Sequence, residues 1–256
     1  MTTIDIDYSL VSMIASCPAK YGFEHKLGLK RPTNNHLYLG SAIHMTAEGY
    51  YRNRLDGIDM PSEDFVDMFN DIFKSGEPAR ARDGTLLDIK WDTPYDSVLT
   101  MGLDMARAYY NLASQVTPIM VEQHLARQVT IGEHEVNIYG TIDLVLDDGR
   151  PVDIKTAGRK PWQTDLDASL QPTFYFYLLG GEGEFVYHHI IKAVPSQVIQ
   201  SKTNRSAVDL RWLQDALRHY TSFIVGGGPY TPNRTNMCQY CAYKVECLSE
   251  GALAKL

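Results

Sequence analysis

The hydrophobic pattern of the chain changes at Pro118, from helical spacing to alternation. Residues 119–131 and 134–146 alternate apolar and polar side chains and are rich in β-branched residues, which is typical of half-buried strands. The dipeptide Asp148-Gly149 that follows favours a tight hairpin turn, and residues 151–157 have the composition of the returning strand. The centre of the chain is therefore predicted to be a short β-meander.

The segments on both sides of this meander are mainly helical in pattern. Apolar residues recur at helical spacing in six segments, which are residues 8–21, 40–53, 61–74, 94–114, 166–179 and 208–224. The dipeptide Cys17-Pro18 is expected to end or kink the first of these helices. Residues 184–194 and 197–202 have strand composition. This order predicts an α/β or α+β core, a central sheet flanked by helices, with a helical N-terminal part.

Length and composition are those of an ordinary folded protein. The chain has 256 residues, of which 44% are hydrophobic and 21% charged. No apolar run approaches the roughly 18 residues that a membrane span needs. The N-terminal segment MTTIDIDYSL carries two aspartates and no basic stretch before an apolar core, unlike a secretory or transit signal. We therefore expect a cytoplasmic protein without a membrane partner.

The formal net charge of -7 comes from the stretch between residues 48 and 104, where acidic residues outnumber basic ones. The rest of the chain is neutral overall and contains basic clusters, for example around Arg150 and Lys160. Phosphate contacts are made by Lys and Arg, so net acidity argues against nucleic-acid binding. The argument is weak here, because the acidity is confined to one stretch and basic clusters lie elsewhere.

The predicted hairpin places two carboxylates beside each other. Asp143 and Asp153 lie ten residues apart around the turn, so a three-residue loop sets them directly opposite, and a two-residue loop shifts them by one place. Lys155 shares a face with Asp153, while Ile154 points to the other layer. Like charges opposite each other destabilise a sheet, and a divalent cation such as Mg²⁺ or Mn²⁺ would remove the conflict. The alternative is an ordinary charged pattern on an exposed strand.

Further polar residues accompany this hairpin in a fixed order. His44 and Glu48 share one face of a predicted helix, and Gln171 and Tyr175 share one face of another. Glu122 lies on the first predicted strand of the meander. Glu48 and Glu122 are interpreted either as carboxylates that support or bind a metal, or as plain helix-face and strand-face charges.

Four short motifs carry a resemblance to a known family: GSAIH at residues 40–44, GTID at 140–143, VDIK at 152–155 and QPTFY at 171–175. Together they resemble the RecB-like branch of the PD-(D/E)XK nucleases, and in particular the CRISPR-associated RecB-like exonucleases and the nuclease domain of AddB-type proteins. The resemblance implies one nuclease domain of restriction-endonuclease-like fold. Its expected parts are a helical segment (1–117), a catalytic core (118–225) and a cysteine-bearing tail (226–256).

The resemblance also implies roles for individual residues. The metal ligands would be His44, Asp143, Asp153 and the Ile154 carbonyl. Lys155 would position or activate the attacking water and stabilise charge on the phosphate. Gln171 and Tyr175 would help to hold the substrate and the active site.

Two residues that follow the predicted strand over 151–157, Arg159 and Trp162, are expected to contact DNA.

The activity implied by the resemblance is Mg²⁺- or Mn²⁺-dependent hydrolysis of phosphodiester bonds by a DNA exonuclease that prefers single-stranded DNA or DNA ends. CRISPR adaptation, phage recombination and DNA repair are the expected contexts, and a phage-encoded protein would act in the host-cell cytoplasm. A helicase, an integrase or a recombination protein would be its partner, and the chain could form oligomers. The alternative is a catalytically silent DNA-binding or scaffolding module of such a complex.

The four cysteines suggest a second site. Cys238, Cys241 and Cys247 follow a Gly-Pro break with C-x2-C-x5-C spacing, and Cys17 is the only other cysteine. Four thiolates accept either Zn²⁺ or an iron–sulfur cluster, and spacing alone does not separate the two. The family resemblance implies a [4Fe-4S] cluster that joins Cys17 to the tail, with zinc as the alternative.

Overall fold

The computed structural model describes residues 3–30, 33–81 and 84–249. The α-helices in this part of the chain are α1 (Tyr8–Ser16), α2 (Pro18–Tyr21), α3 (Asn35–Leu55), α4 (Ser62–Ser75), α5 (Tyr95–Ala113), α6 (Gln163–Ala168), α7 (Gln171–Leu179), α8 (Ala207–Gly226) and α9 (Lys244–Leu248). A π-helix (Gly22–Lys26) follows α2, and short 3-10 helices lie at Glu77–Ala79 and Asn236–Tyr240. The strands are β1 (Ile4–Ile6), β2 (Thr33–Asn34), β3 (Ile89–Lys90), β4 (Pro118–Ile131), β5 (His134–Leu146), β6 (Pro151–Ala157), β7 (Gly183–Ile191) and β8 (Gln197–Arg205).

Six of these strands form one mixed sheet around β5. Strand β4 pairs antiparallel with β5 along its whole length, so β1 and β6 share the opposite edge of β5, at its two ends. Strands β6 and β7 are parallel, and β8 pairs antiparallel with β7. Strands β2 and β3 form a separate short parallel pair.

Helices cover both faces of this sheet. Val186 and Ile190 of β7 pack into one core with α3, α4 and α5. Phe185 and Tyr187, which alternate with them along β7, pack into a second core with α1, α7 and α8. This is the mixed α/β arrangement predicted from the sequence, and it is consistent with a restriction-endonuclease-like fold. No helix in the described ranges is both long and apolar enough to cross a lipid bilayer.

The central hairpin has a three-residue loop. The Leu146 N–H donates to the Arg150 carbonyl at 2.9 Å, and the Gly149 N–H donates back to the Leu146 carbonyl at 2.9 Å. Gly149 has a φ of 84°, a left-handed conformation that favours glycine. Leu144 pairs with Val152 in the same register. Of the two registers that the sequence allowed, the structure has the one that sets Asp143 directly opposite Asp153.

One expected break is confirmed, and two local features differ from the predicted elements. As expected from Cys17-Pro18, the helix over 8–21 is interrupted at Cys17, which is extended because Pro18 starts the next helix. The predicted helix over 166–179 is two helices, because Ser169 has an extended ψ of 132°. Strand β1 was not predicted, since three residues are too few to show alternation.

Candidate active site and cysteine cluster

Three carboxylates lie in one row across three neighbouring strands. On β4 and β5, Val121 pairs with Leu144 and Gln123 with Ile142, so Glu122 lies opposite Asp143. On β5 and β6, the hairpin register sets Asp143 opposite Asp153. Asp143 and Asp153 are buried, with 8% and 1% of their surface exposed. Such a row is unfavourable unless something positive balances it.

The hairpin ladder opens where this row begins. In a continued register Ile154 would pair with Ile142, but the Ile154 N–H donates instead to Asp143 Oδ2 at 2.7 Å. Asp143 therefore replaces a ladder bond with its side chain, and this fixes its carboxylate against β6. The same Oδ2 lies 3.5 Å from His44 Nδ1, which α3 brings to the sheet.

Asp153 is held by two donors on one of its oxygens. Lys155 Nζ donates to Asp153 Oδ1 at 2.9 Å, and Gln171 Nε2 donates to the same oxygen at 2.7 Å. Gln171 also donates to Tyr175 Oη at 3.1 Å, which places both predicted α7 residues in the site. Asp153 Oδ2 is buried and has no hydrogen-bond partner within the described residues.

Burial and charge shift the ionisation of these groups. Burial raises the pKa of Asp153, and the nearby Asp143 adds to this effect while Lys155 and His44 oppose it. Burial acts to lower the pKa of Lys155, but Asp153 and Asp143 outweigh it and raise that pKa. Burial, followed by Asp153 and Asp143, raises the pKa of the Tyr175 phenol, which stays neutral. Lys155 is therefore a protonated donor at neutral pH.

Glu122 is placed by an unusual backbone conformation. Its φ of 45° is the one positive φ of a non-glycine residue among the described residues, and strain of this kind is concentrated at functional sites. Burial, then Asp143 and Glu48, raise the pKa of Glu122 to about 8. The strand pattern of the sequence did not separate Glu122 from a surface charge, because its position depends on the register of β4 and on this φ.

The donor set fits a hard divalent cation. One ligand atom each of His44, Glu122 and Asp143 lies within 4.8 Å of the others, and in the described part of the chain no other trio of His, Cys, Asp or Glu meets this limit. The unpartnered Asp153 Oδ2 is a further acceptor in the same row. Carboxylate oxygens and an imidazole suit Mg²⁺ or Mn²⁺.

Two cavities border residues of the site. A cavity of about 630 Å³ is bordered by His44, Glu122, Asp143 and Lys155, and also by Ser41, Thr156 and Lys192, to which the sequence analysis gave no role. A second cavity of about 400 Å³ is bordered by Gln171 and Tyr175, together with the aromatic side chains of Tyr8, His124 and Tyr139. The first cavity reaches the carboxylate row itself, and the second reaches the Gln171–Tyr175 pair that contacts Asp153.

Three other predicted residues lie outside the cluster of ligand atoms. Glu48 borders the larger cavity but pairs with Arg52, at 2.8 Å between Arg52 Nη2 and Glu48 Oε1. Trp162 is 66% exposed, and the Arg159 guanidinium lies 5.9 Å from its ring centroid. Arg159 and Trp162 form an exposed cation–π pair just after β6.

The four cysteines border one cavity of about 670 Å³ between the N-terminal helices and the tail. All four are free thiols. Polypeptide contacts already join the two regions: Asn233 Nδ2 donates to the Ser16 carbonyl at 3.0 Å, and Tyr243 Oη donates to Glu24 Oε2 at 2.7 Å. Burial, followed by the neighbouring thiols, raises the pKa of Cys247.

Backbone N–H groups already point at two of these sulfurs. The Asn233 N–H donates to Cys17 Sγ at 3.3 Å, and the Thr235 N–H donates to Cys238 Sγ at 3.4 Å. Such bonds stabilise thiolate ligands. In a tetrahedral zinc site with Zn–S bonds of about 2.3 Å, the sulfurs lie roughly 3.8 Å apart. No three cysteine sulfurs are gathered within 4.8 Å in the described residues, so the thiols are spread more widely than zinc requires.

Comparison with known proteins gives one family for this arrangement. Residues 8–248 match the PD-(D/E)XK nuclease superfamily, which covers nearly the whole chain and all the site residues above. No curated protein matches the chain.

One solved structure supports the fold. A protein from Eubacterium rectale, named as a candidate exonuclease, superposes with a TM-score of 0.55 at 14% sequence identity, over 96% of this chain and 92% of that one. The protein SSO0001 matches with a TM-score of 0.37 at 14% identity, over 91% of this chain and 95% of that one. Rai1 from Scheffersomyces stipitis matches with a TM-score of 0.27 at 15% identity, over 88% and 70%. The last two are too distant to bear on the argument.

Proposed function

Because the chain belongs to the PD-(D/E)XK nuclease superfamily, whose members use divalent metals to cut DNA, we propose that it is a metal-dependent exonuclease of the RecB-like branch. Its proposed substrate is single-stranded DNA or a DNA end. The observation that carries this proposal is the row of Glu122, Asp143 and Asp153 on adjacent strands, with Lys155 bonded to Asp153 at 2.9 Å. An inert strand pattern would not bury two opposed carboxylates in this way.

The residues present would hold one or two divalent cations. The proposed ligands are His44, Asp143, Asp153 and the Ile154 carbonyl, and Glu122 joins them because its carboxylate lies with those of the row. When bound there, Mg²⁺ or Mn²⁺ supplies a bound water of lowered pKa and polarises the phosphate. Glu48 is not a proposed ligand, because it pairs with Arg52; its negative charge supports the metal site from the same cavity.

Lys155 and Gln171 contribute without being ligands. The Lys155 ammonium remains protonated and donates hydrogen bonds to the charge that develops on the scissile phosphate. Gln171 holds Asp153 Oδ1, so that Asp153 Oδ2 is left to face the reacting groups. Tyr175 accepts from Gln171 and thereby fixes the direction of its amide.

Two features favour a single strand as substrate. Unpaired bases bind on aromatic side chains beside basic groups, and the smaller cavity offers Tyr8, His124 and Tyr139 next to the site. The exposed pair of Arg159 and Trp162 offers a further stacking surface after the catalytic strand. The Eubacterium rectale protein, which shares the fold, is named as a candidate exonuclease.

We assign the cysteine cluster to an iron–sulfur cofactor. Four thiols around one cavity, spread more widely than a zinc site and partly met by backbone N–H groups, fit a [4Fe-4S] cluster better than zinc. Cys17, Cys238, Cys241 and Cys247 are the proposed ligands. The chain is then one domain, in which a helical part (1–117), a catalytic core (118–225) and a tail (226–256) are joined through Cys17. The proposed setting is CRISPR adaptation, phage recombination or DNA repair.

The function is tested by comparing linear and circular substrates. Protein purified without oxygen is incubated with single-stranded DNA, either linear with a label at the 5′ or the 3′ end or covalently closed, in Mg²⁺ or Mn²⁺. An exonuclease degrades the linear strand progressively from one labelled end and leaves the circle intact. Cutting of the circle would make the protein an endonuclease, and binding without cutting of either would make it a silent DNA-binding or scaffolding module.

A further inference from the structure

Lys192 lies at the ends of two parallel strands, beside the proposed active site. It is the first residue after β7, and its N–H donates to the Ala157 carbonyl, the last of β6, at 2.8 Å. The carboxyl ends of parallel strands are where open α/β sheets commonly bind ligands. Thr156 of β6 pairs with Ile190, so Lys192, two residues further on, lies on the same face of the sheet as Thr156.

The Lys192 side chain is half-buried and lacks a counter-charge. Burial alone lowers its pKa, and no carboxylate of the described residues forms an ion pair with its ammonium group. Arg80, another basic residue that borders the cavity, pairs with Glu77 at 2.7 Å between Arg80 Nη2 and Glu77 Oε1. A desolvated cation without a partner costs stability, and binding of an anion would offset that cost.

The space in front of Lys192 is lined with hydroxyl groups. Ser41 and Thr156 border the same cavity of about 630 Å³ as Lys192, and neither hydroxyl makes a hydrogen bond within the described residues. Gly40 of α3 keeps this space open, because a Cβ there would lie 3.3 Å from Thr156 Oγ1. Asp143 and Lys155 border the same cavity, so it continues into the carboxylate row.

We propose that Lys192, together with the Ser41 and Thr156 hydroxyls, binds the phosphate that neighbours the scissile one along the DNA strand. This rests on the proposed nuclease function and names a substrate contact for it. The lining of the cavity supports it: His44, Glu122 and Asp143 offer ligands for a metal, while Lys192, Ser41 and Thr156 offer one cation and two hydroxyls for an anion. Lys192 then sets the register of the strand, so that a phosphodiester lies over the row.

The test measures binding rather than cleavage. A fluorescein-labelled oligothymidylate is titrated with protein in metal-free buffer, over a range of salt concentrations, with wild type, Lys192→Ala and Lys192→Arg. Lys74→Ala is the matched control, since Lys74 is an exposed lysine that does not border this cavity. We expect Lys192→Ala to raise Kd about fivefold to tenfold and to reduce the log–log salt slope by about 0.7, the amount for one single-strand phosphate. Lys192→Arg retains most of the affinity.

Several outcomes overturn the inference. Equal Kd and salt slope for Lys192→Ala and Lys74→Ala would remove Lys192 from the DNA contact, and so would a wild type that does not bind the strand. If the variant loses thermal stabilisation by inorganic phosphate but keeps its oligonucleotide affinity, the site takes a free phosphate and not the DNA backbone. Lys192→Met should melt no lower than wild type, because an unpaired half-buried charge has been removed; a large drop in Tm would indicate a structural role. Failure of the nuclease proposal would give a different result: the wild-type protein would bind the oligonucleotide but would not cleave DNA when Mg²⁺ or Mn²⁺ is added.

Discussion

His188 is buried in a chain of hydrogen bonds and has no charged partner among the residues that the structure describes. Its Nε2 accepts from Gln200 Nε2 at 3.3 Å, which places the ring proton on Nδ1, 3.2 Å from Tyr109 Oη. Tyr109 Oη lies in turn 3.1 Å from Tyr51 Oη. Burial, followed by the neighbouring His189, lowers the pKa of His188 to about 4.

This pKa makes stability depend on pH with a definite sign. Between about pH 6.5 and 4 the unfolded chain protonates His188 while the folded protein does not, so stability falls as the pH falls. The full effect, about 3 kcal/mol, is present above the unfolded pKa and is lost by about pH 4. Urea unfolding of His188→Gln should show a shallower loss over this range than wild type, whereas His219→Gln, at an exposed position, should follow wild type. Parallel curves for all three proteins would contradict the assignment.

At this scale the sequence indicated which side chains meet only where the reason is local. The proximity of Asp143, Asp153 and Lys155 followed from alternation and a turn dipeptide, and Gln171 and Tyr175 were selected by the family motif. The sequence left Glu122 open between a metal-linked carboxylate and a surface charge and gave no role to Lys192, because their positions depend on the register between β4 and β5 and on the neighbouring ends of β6 and β7. The hydrogen-bonded chain around His188 joins residues far apart in sequence, so no local pattern indicates it.

At the scale of elements, the packing of helices α3, α4 and α5 depends on one close approach. Gly102 of α5 is buried, and a Cβ there would clash with the Phe69 ring of α4 and lie 2.9 Å from Leu39 Cδ1 of α3. Gly102→Ala should therefore destabilise the protein by about 1 to 3 kcal/mol, although alanine is the better helix former. In the control Gly49→Ala, the new methyl group meets the flexible end of Met68, so Tm should change little or rise. Equal Tm for the two variants would contradict this packing.

A single buried arginine braces the segment that carries Gln171. All five N–H groups of Arg205 are used: they donate to Thr173 Oγ1, Thr203 Oγ1 and the carbonyls of Asn204, Leu166 and Ser169, at 2.7 to 3.0 Å. Arg205 of β8 therefore fixes the connection between α6 and α7, and with it the Gln171 amide on Asp153.

Lysine cannot reproduce this set of bonds, because it has three donors and no planar fork. We expect Arg205→Lys to destabilise the protein by about 2 to 4 kcal/mol and to lower kcat, with little change in KM. If Arg205 acts through Gln171, the kcat losses of Arg205→Lys and Gln171→Ala will not add in the double variant. Arg211→Lys, at an exposed position on α8, serves as the control. Additive losses would show that Arg205 supports only the fold.

At the scale of the whole molecule, the proposed iron–sulfur cluster would join Cys17 to the three tail cysteines and so close a loop of more than 200 residues. Cross-links that close long loops stabilise most in the simple chain-entropy model. Cys241→Ala should lose bound iron and lower Tm, and amide exchange should quicken first in α1, α2 and residues 233–248, while β4 to β7 exchange as before. Iron content and exchange that match wild type would remove the structural role of the cluster.

The hairpin and its flanking helices were predictable as a fold because hydrophobic periodicity reports burial along the chain. The packing of the N-terminal helical segment against the tail was expected from four cysteines and a family resemblance. The polypeptide contacts between them, such as Tyr243 with Glu24, depend on how the two segments meet in space, and the spacing of residues along the sequence does not indicate this.

The most direct test of the account is cleavage of end-labelled single-stranded DNA in Mn²⁺ by wild type, Lys155→Ala and Lys160→Ala, each purified without oxygen. We predict that wild type and Lys160→Ala cleave, and that Lys155→Ala loses at least a hundredfold in rate, since the cation aimed at the phosphate is gone. Cleavage by Lys155→Ala at the wild-type rate, by a correctly folded protein, would show that the carboxylate row is not the active site.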